Sequence, residues 1–163
     1  MTMKTLQNLF VSQLQDAYSA ETQLVDALPN MVRAAHEEGL REGFERHLRE
    51  TKKQVQRLEK ACQLIDCPTG GETCEAMQGI LTEGREAMNL DADPNVKDAA
   101  LIAAAQKVEH HEIALYGCLC SWADELGLND VRDLLHQTLE EEKATDARLT
   151  ELAERRVNAS ARR

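Results

Sequence analysis

Residues that interrupt secondary structure are scarce in this chain. Only three prolines and eight glycines punctuate its 163 residues, and aromatics make up 3% of it. Their scarcity leaves long uninterrupted stretches, which Ala, Leu, Glu, Gln, Lys and Arg fill, the residues that helices favour. The expected class is therefore all-α. Net basic charge is also lacking. A formal charge of −10 excludes a chain that grips nucleic acid or anionic lipid through a face of Lys and Arg. No apolar run approaches the roughly 20 residues of a membrane span. The start, Met1 to Phe10, lacks the long apolar segment of a signal peptide, so a soluble, cytoplasmic protein is expected. Five cysteines, Cys62, Cys67, Cys74, Cys118 and Cys120, fit no zinc spacing. They read as reduced thiols filling small apolar volumes.

What is present is helical periodicity, in a chain of a size suited to one domain spanning 1–163. Leu6, Phe10, Leu14, Ala17, Leu24 and Leu28 recur at helical spacing and predict a first helix over about Thr5 to His36, kinked or split at Pro29. Phe44, Leu48, Val55, Leu58 and Cys62 predict a second, over about Leu40 to Ile65. A shorter helical stretch between Glu72 and Met88 reads as part of a crossover. Asp93 as N-cap and Pro94 as first residue start the third long helix, which Gly127 closes after Leu126. The fourth spans about Asn129 to Val157, and the basic ending from about 155 to 163 reads as a flexible, solvated tail. Two helical hairpins joined by one long connection is the topology of ferritin-like antiparallel four-helix bundles.

A weak internal repeat supports that topology. Shifting the chain by 91 residues lays Phe10 on Leu101, Leu24 on Leu115 and Leu28 on Leu119. The same shift lays Phe44 on Leu135, Leu48 on Leu139, Arg57 on Arg148 and Leu58 on Leu149. One ungapped offset serving both hairpins is what a pseudo-twofold bundle produces.

The same offset lays Glu21 on Glu112 and Glu50 on Glu141. Glu21 falls on the stripe Phe10, Leu14, Ala17, Leu24, Leu28, and Glu112 on Leu101, Ala105, Val108, Leu115, Leu119, so both point at the core. Carboxylates buried together must be paired or given a cation. Glu21, Glu50, Glu112 and Glu141 are the first candidates for metal ligands, joined by Glu109 one turn before Glu112, and then by Glu142 and Gln54. Asp146, His47, His110 and His111 are weaker candidates. Oxygen-rich ligation by acids that neutralise two divalent ions suits iron first and manganese second.

The stretches Asp16-Ala-Tyr-Ser-Ala-Glu21, His47-Leu-Arg-Glu50-Thr, Asp98 through Glu109-His-His-Glu112-Ile-Ala, and Leu139-Glu-Glu-Glu-Lys-Ala-Thr-Asp146 together resemble the YciE/YciF family. The resemblance runs from Met3 to about Ala153. It implies a bacterial, stress-associated, ferritin-like protein, a homodimer, with a di-metal site and no assigned reaction. One departure from the ferritin and rubrerythrin pattern is visible. Lys53 stands three residues after Glu50 and Ala144 three after Glu141, where a Glu-x-x-His pair would place histidine. Gln54 and His47, one turn away on either side, are the candidates to stand in. The alternative expectation is a metal-free helical interaction protein whose inward acids are protonated or paired with Arg and Lys.

Overall fold

The computed structural model describes residues 3–162; Met1, Thr2 and Arg163, the last residue of the predicted tail, lie outside it. The described chain is helical, in the order α1 (Leu6–Ala34), α2 (Glu38–Leu64), α3 (Glu75–Met88), α4 (Pro94–Glu125), α5 (Asn129–Leu152) and α6 (Asn158–Ala161). A wider π-type turn, Ala153–Val157, joins the last two.

The helix ends follow local chemistry. The side chain of Thr5 accepts from the Asn8 N–H to open α1, and the Asp93 carboxylate accepts from Asn95 N–H ahead of Pro94 to open α4. Gly127 turns the chain between α4 and α5 at φ +70°, a left-handed conformation that suits glycine. Pro29 does not split α1, which runs on to Ala34. The expected flexible tail is instead helical through Ala161, and Val157 is buried in the core.

α1 packs along α2 and α4 along α5; the two hairpins meet through α2 against α5 and α1 against α4. α3, in the long connection, covers α1 and α4. This is the predicted bundle, and its interior is not uniformly apolar. One cluster gathers Leu24, Leu28, Phe44, Leu101, Val108 and Leu149. A second gathers Phe10, Leu14, Leu58, Tyr116, Leu119 and Leu135. Between them lies a layer of fully buried polar side chains: Glu21 from α1, His47 and Gln54 from α2, Glu109 and Glu112 from α4, and Glu142 from α5.

Candidate metal centre

All four long helices contribute to the polar layer because each carries a polar residue where the core stripe expects an apolar one. On α2 the buried stripe is Leu40, Phe44, His47, Thr51, Gln54, Leu58, alternating four and three residues, the spacing of helices packed in a bundle. On α5 it is Val131, Leu135, Thr138, Glu142, Thr145, Leu149, with the same alternation.

Ligand atoms of His47, Glu109, Glu112 and Glu142 all lie within 4.8 Å of one another, and all four residues are buried. His47 Nδ1 is 3.2 Å from Glu109 Oε1, and its Nε2 is 3.7 Å from Glu142 Oε2. These contacts are not ion pairs, because burial, helped by the positive charge of Arg148, lowers the His47 pKa to about 4 and keeps the ring neutral near pH 7. Glu21 adjoins the group. One of its oxygens accepts a 2.5 Å hydrogen bond from the Tyr116 hydroxyl, and Gln54 donates to Glu142.

The electrostatics are strained. Burial, then repulsion from Glu142, holds the Glu21 carboxyl well above the usual range. Burial, then Glu142, does the same to Glu109, and burial, then Glu21, to Glu112. Glu142 is raised to about 7, chiefly by burial. Hydrogen bonding does not relieve this. Among the described residues, the buried side-chain atoms with no hydrogen-bond partner are one oxygen each of Glu21, Gln54 and Glu142, both oxygens of Glu109 and of Glu112, and His47 Nε2. Every one belongs to this layer. Asp98, equally buried on α4, is the internal control: its two oxygens accept from the backbone N–H groups of His36 and Glu37 at 2.8 and 2.7 Å.

The donor set fits a divalent cation. Four carboxylates balance two divalent ions, and carboxylate oxygens with one imidazole suit hard or borderline metals. The wall of the site also reaches the surface. His47 and Thr145 line a cleft of roughly 310 Å³ between α2 and α5, with Leu40, Gly43 and Phe44 beside them and Arg148 at its edge.

Of the residues singled out from sequence, Glu109, Glu112 and Glu142 come together in the four-residue group, and Glu21 and Gln54 adjoin it. Glu50 and Glu141 stand elsewhere. Arg57 grips both oxygens of Glu141 at 2.7 Å, and Arg148 reaches Glu50 at 3.4 Å. Both acids are partly exposed, at 22% and 28% of the side chain. His47, ranked among the weaker candidates, is in the group; Asp146 instead contacts His110 at 3.2 Å on the outside.

Comparison with known proteins places the chain. A family model described as a domain of unknown function (DUF892) matches residues 5–162. The curated Escherichia coli (strain K12) protein YciF is 45% identical over 99% of this chain and 98% of its own. The chain belongs to this family. The crystal structure of the E. coli stress protein YciF superimposes with a TM-score of 0.92, at 45% identity, covering 96% of this chain and 99% of that one. YcfI of Rhodopseudomonas palustris, for which a structural role has been suggested, follows at a TM-score of 0.87 and 41% identity, over 91% and 94% of the two chains. A Xanthomonas campestris protein at 22% identity shares the fold, with a TM-score of 0.75. Family membership accounts for the bundle and its crossover. Among the described residues no helix is long and apolar enough to cross a membrane.

Proposed function

We propose that this YciF-family protein is a stress-associated, cytoplasmic metal protein, in which the polar layer holds two divalent ions, iron first and manganese second. The observation that carries the reading is that, among the described residues, the unpartnered buried side-chain polar atoms all converge on this layer. Leaving that many acceptors without a donor in a low-dielectric core costs several kcal/mol, and a cation removes the cost. His47, Glu109, Glu112 and Glu142 would hold one ion; Glu21, whose free oxygen lies in the same layer, and Glu112 would serve the second. When bound, the divalent ions would supply electrons to oxygen or peroxide and would themselves be oxidised.

The chain's own residues prepare the layer. Tyr116 donates to Glu21 and holds its proton tightly, because burial, then Glu21, pushes the phenol well above its ordinary value. Gln54 orients Glu142 by donating to it. Arg57 and Arg148 absorb the charges of Glu141 and Glu50, so neither adds to the repulsion within the layer at full strength. The apolar clusters on both sides exclude water, and the cleft beside His47 gives a small oxidant a way in.

The test is metal analysis of protein purified without chelator, followed by thermal unfolding with added Mn(II) or Fe(II). At 100 times the dissociation constant a bound ion adds about 2.7 kcal/mol, or roughly 5–10 °C in a domain this size. Anaerobic ferrous loading, then exposure to oxygen, should develop ferric absorbance. A second reading, a metal-free structural protein, draws support from the role suggested for YcfI and requires that chelators and added metal leave the melting temperature unchanged. Family resemblance supports a homodimer, which a mass measurement in solution checks.

A further inference from the structure

We propose that Asp16, Cys74 and His111 form a second metal site, separate from the core layer, that takes a single zinc-like divalent cation and clips the crossover to α1 and α4. The ligand atoms of these residues lie within 4.8 Å of one another. They come from three elements: Asp16 from α1, Cys74 from the residue that caps α3, and His111 from α4.

Distances decide between the uses of such a trio. Cys74 Sγ lies 3.5 Å from His111 Nε2. Tetrahedral zinc, with a bond of about 2.3 Å to sulfur and about 2.0–2.1 Å to nitrogen, separates those two donors by about 3.5 Å. The sulfur and the ring nitrogen therefore already stand at the edge length of a coordination tetrahedron. Cys74 is also fixed in place. Its N–H donates to Ser19 Oγ at 3.0 Å, and its carbonyl accepts from Gln23 Nε2 at 3.2 Å, both on α1. Asp16 and His111 are half-buried, so solvent reaches the trio and a water can complete four-coordination.

Two other uses fit less well. A filler thiol, as Cys62 is, meets only the apolar side of its cluster; Cys74 also sits at the edge of an apolar cluster, but its Sγ stands 3.5 Å from the His111 ring nitrogen and within 4.8 Å of an Asp16 carboxylate oxygen. An activated nucleophile needs a depressed thiol pKa, whereas burial pushes Cys74 up to about 11. A cation changes that: coordination releases the thiol proton to solvent and leaves thiolate on the metal. One sulfur, one nitrogen and one oxygen select a borderline-soft ion, unlike the oxygen-rich core layer. Residues 16 and 74 are 58 apart in sequence, 74 − 16, and Cys74 and His111 are 37 apart, so the clip would close two long loops.

Cobalt(II) added to the full chain after chelator treatment is the probe, because a sulfur-to-cobalt charge-transfer band in the near ultraviolet reports only a thiolate ligand. One equivalent should develop that band, zinc should abolish it, and Glu112→Gln should leave it intact. Cys74→Ser should remove it. Should that variant fold poorly, His111→Gln, at a half-exposed position, tests the same site and should weaken the band and lower zinc affinity at least tenfold. No band in the wild-type chain overturns the site, and so does a band that survives His111→Gln unchanged, which would belong to Cys62 and Cys67.

Discussion

Asp98 and Glu112 are both fully buried carboxylates on α4, and they differ in what meets their oxygens. Two backbone N–H groups satisfy Asp98, while both oxygens of Glu112 lack a donor. Substitution should therefore act in opposite directions. Asp98→Asn puts a donor against an N–H and should destabilise by about 1–3 kcal/mol. Glu112→Gln removes a charge that burial and Glu21 disfavour, so the metal-free chain should melt a few degrees higher at pH 8 while its response to Mn(II) disappears. Calorimetry of the two variants with and without metal measures both effects. A destabilised Glu112→Gln that still responds fully to metal would count against the site. Legibility at this scale was uneven for a geometric reason. Neighbours on a helix point about 100° apart, so within the run Glu140, Glu141, Glu142 apolar spacing narrows the inward choice only to a sector. Glu142 takes the inward position and Glu141 the flank. His47 lies four and three residues from Thr51 and Phe44 on the α2 stripe, a pattern present in the sequence but obscured by the apolar Leu48 and Val55, which flank that stripe.

At the scale of elements, the 91-residue offset has a structural meaning beyond the expected one. It lays the α2 stripe onto the α5 stripe position by position: Leu40 on Val131, Phe44 on Leu135, His47 on Thr138, Thr51 on Glu142, Gln54 on Thr145, Leu58 on Leu149. It also lays Arg57 on Arg148 and Glu50 on Glu141, and the structure joins these four crosswise, Arg57 to Glu141 and Arg148 to Glu50. The repeat thus encodes packing symmetry and a reciprocal clamp between α2 and α5. The site chemistry breaks the symmetry, since His47 and Glu142 have Thr138 and Thr51 as counterparts. The offset therefore revealed the fold and the Glu21–Glu112 pair but could not reveal the α2 and α5 members of the layer. The two halves of the clamp should be unequal. Arg57 makes a bidentate contact and is 18% exposed, so Arg57→Ala should cost about 1–2 kcal/mol. Arg148 is 40% exposed, reaches Glu50 through a single 3.4 Å contact and donates besides to its i−3 neighbour Thr145, so its loss should cost under about 1 kcal/mol. Urea unfolding of the single and double variants checks the ranking, and equal losses would contradict it.

For the molecule as a whole, two apolar clusters separated by a charged layer make stability depend on pH and metal together. The layer's acids are raised in the folded chain, so between the ordinary glutamate value and their own pKa they keep protons that the unfolded chain has lost. Stability of the metal-free protein then falls as pH rises through that window. Glu142, at about 7, contributes up to roughly 3 kcal/mol of that fall at about 1.4 kcal/mol per pH unit. His47 acts oppositely. At about 4 it stays neutral in the fold while the unfolded ring is protonated below its ordinary value of about 6.5, so its contribution rises with pH and is complete above that value. Below pH 6.5 the His47 trend offsets that of one acid, Glu142; above it only the carboxylates remain. The metal-free melting temperature should therefore decline between pH 6.5 and 8. Metal reverses the sign, because ligation needs deprotonated carboxylates and its affinity grows as protons leave. Melting curves of the chelated and Mn(II)-loaded protein should diverge across that window. Parallel curves, or a metal-free chain that gains stability from pH 6.5 to 8, would refute the assignment of the layer as a cation site.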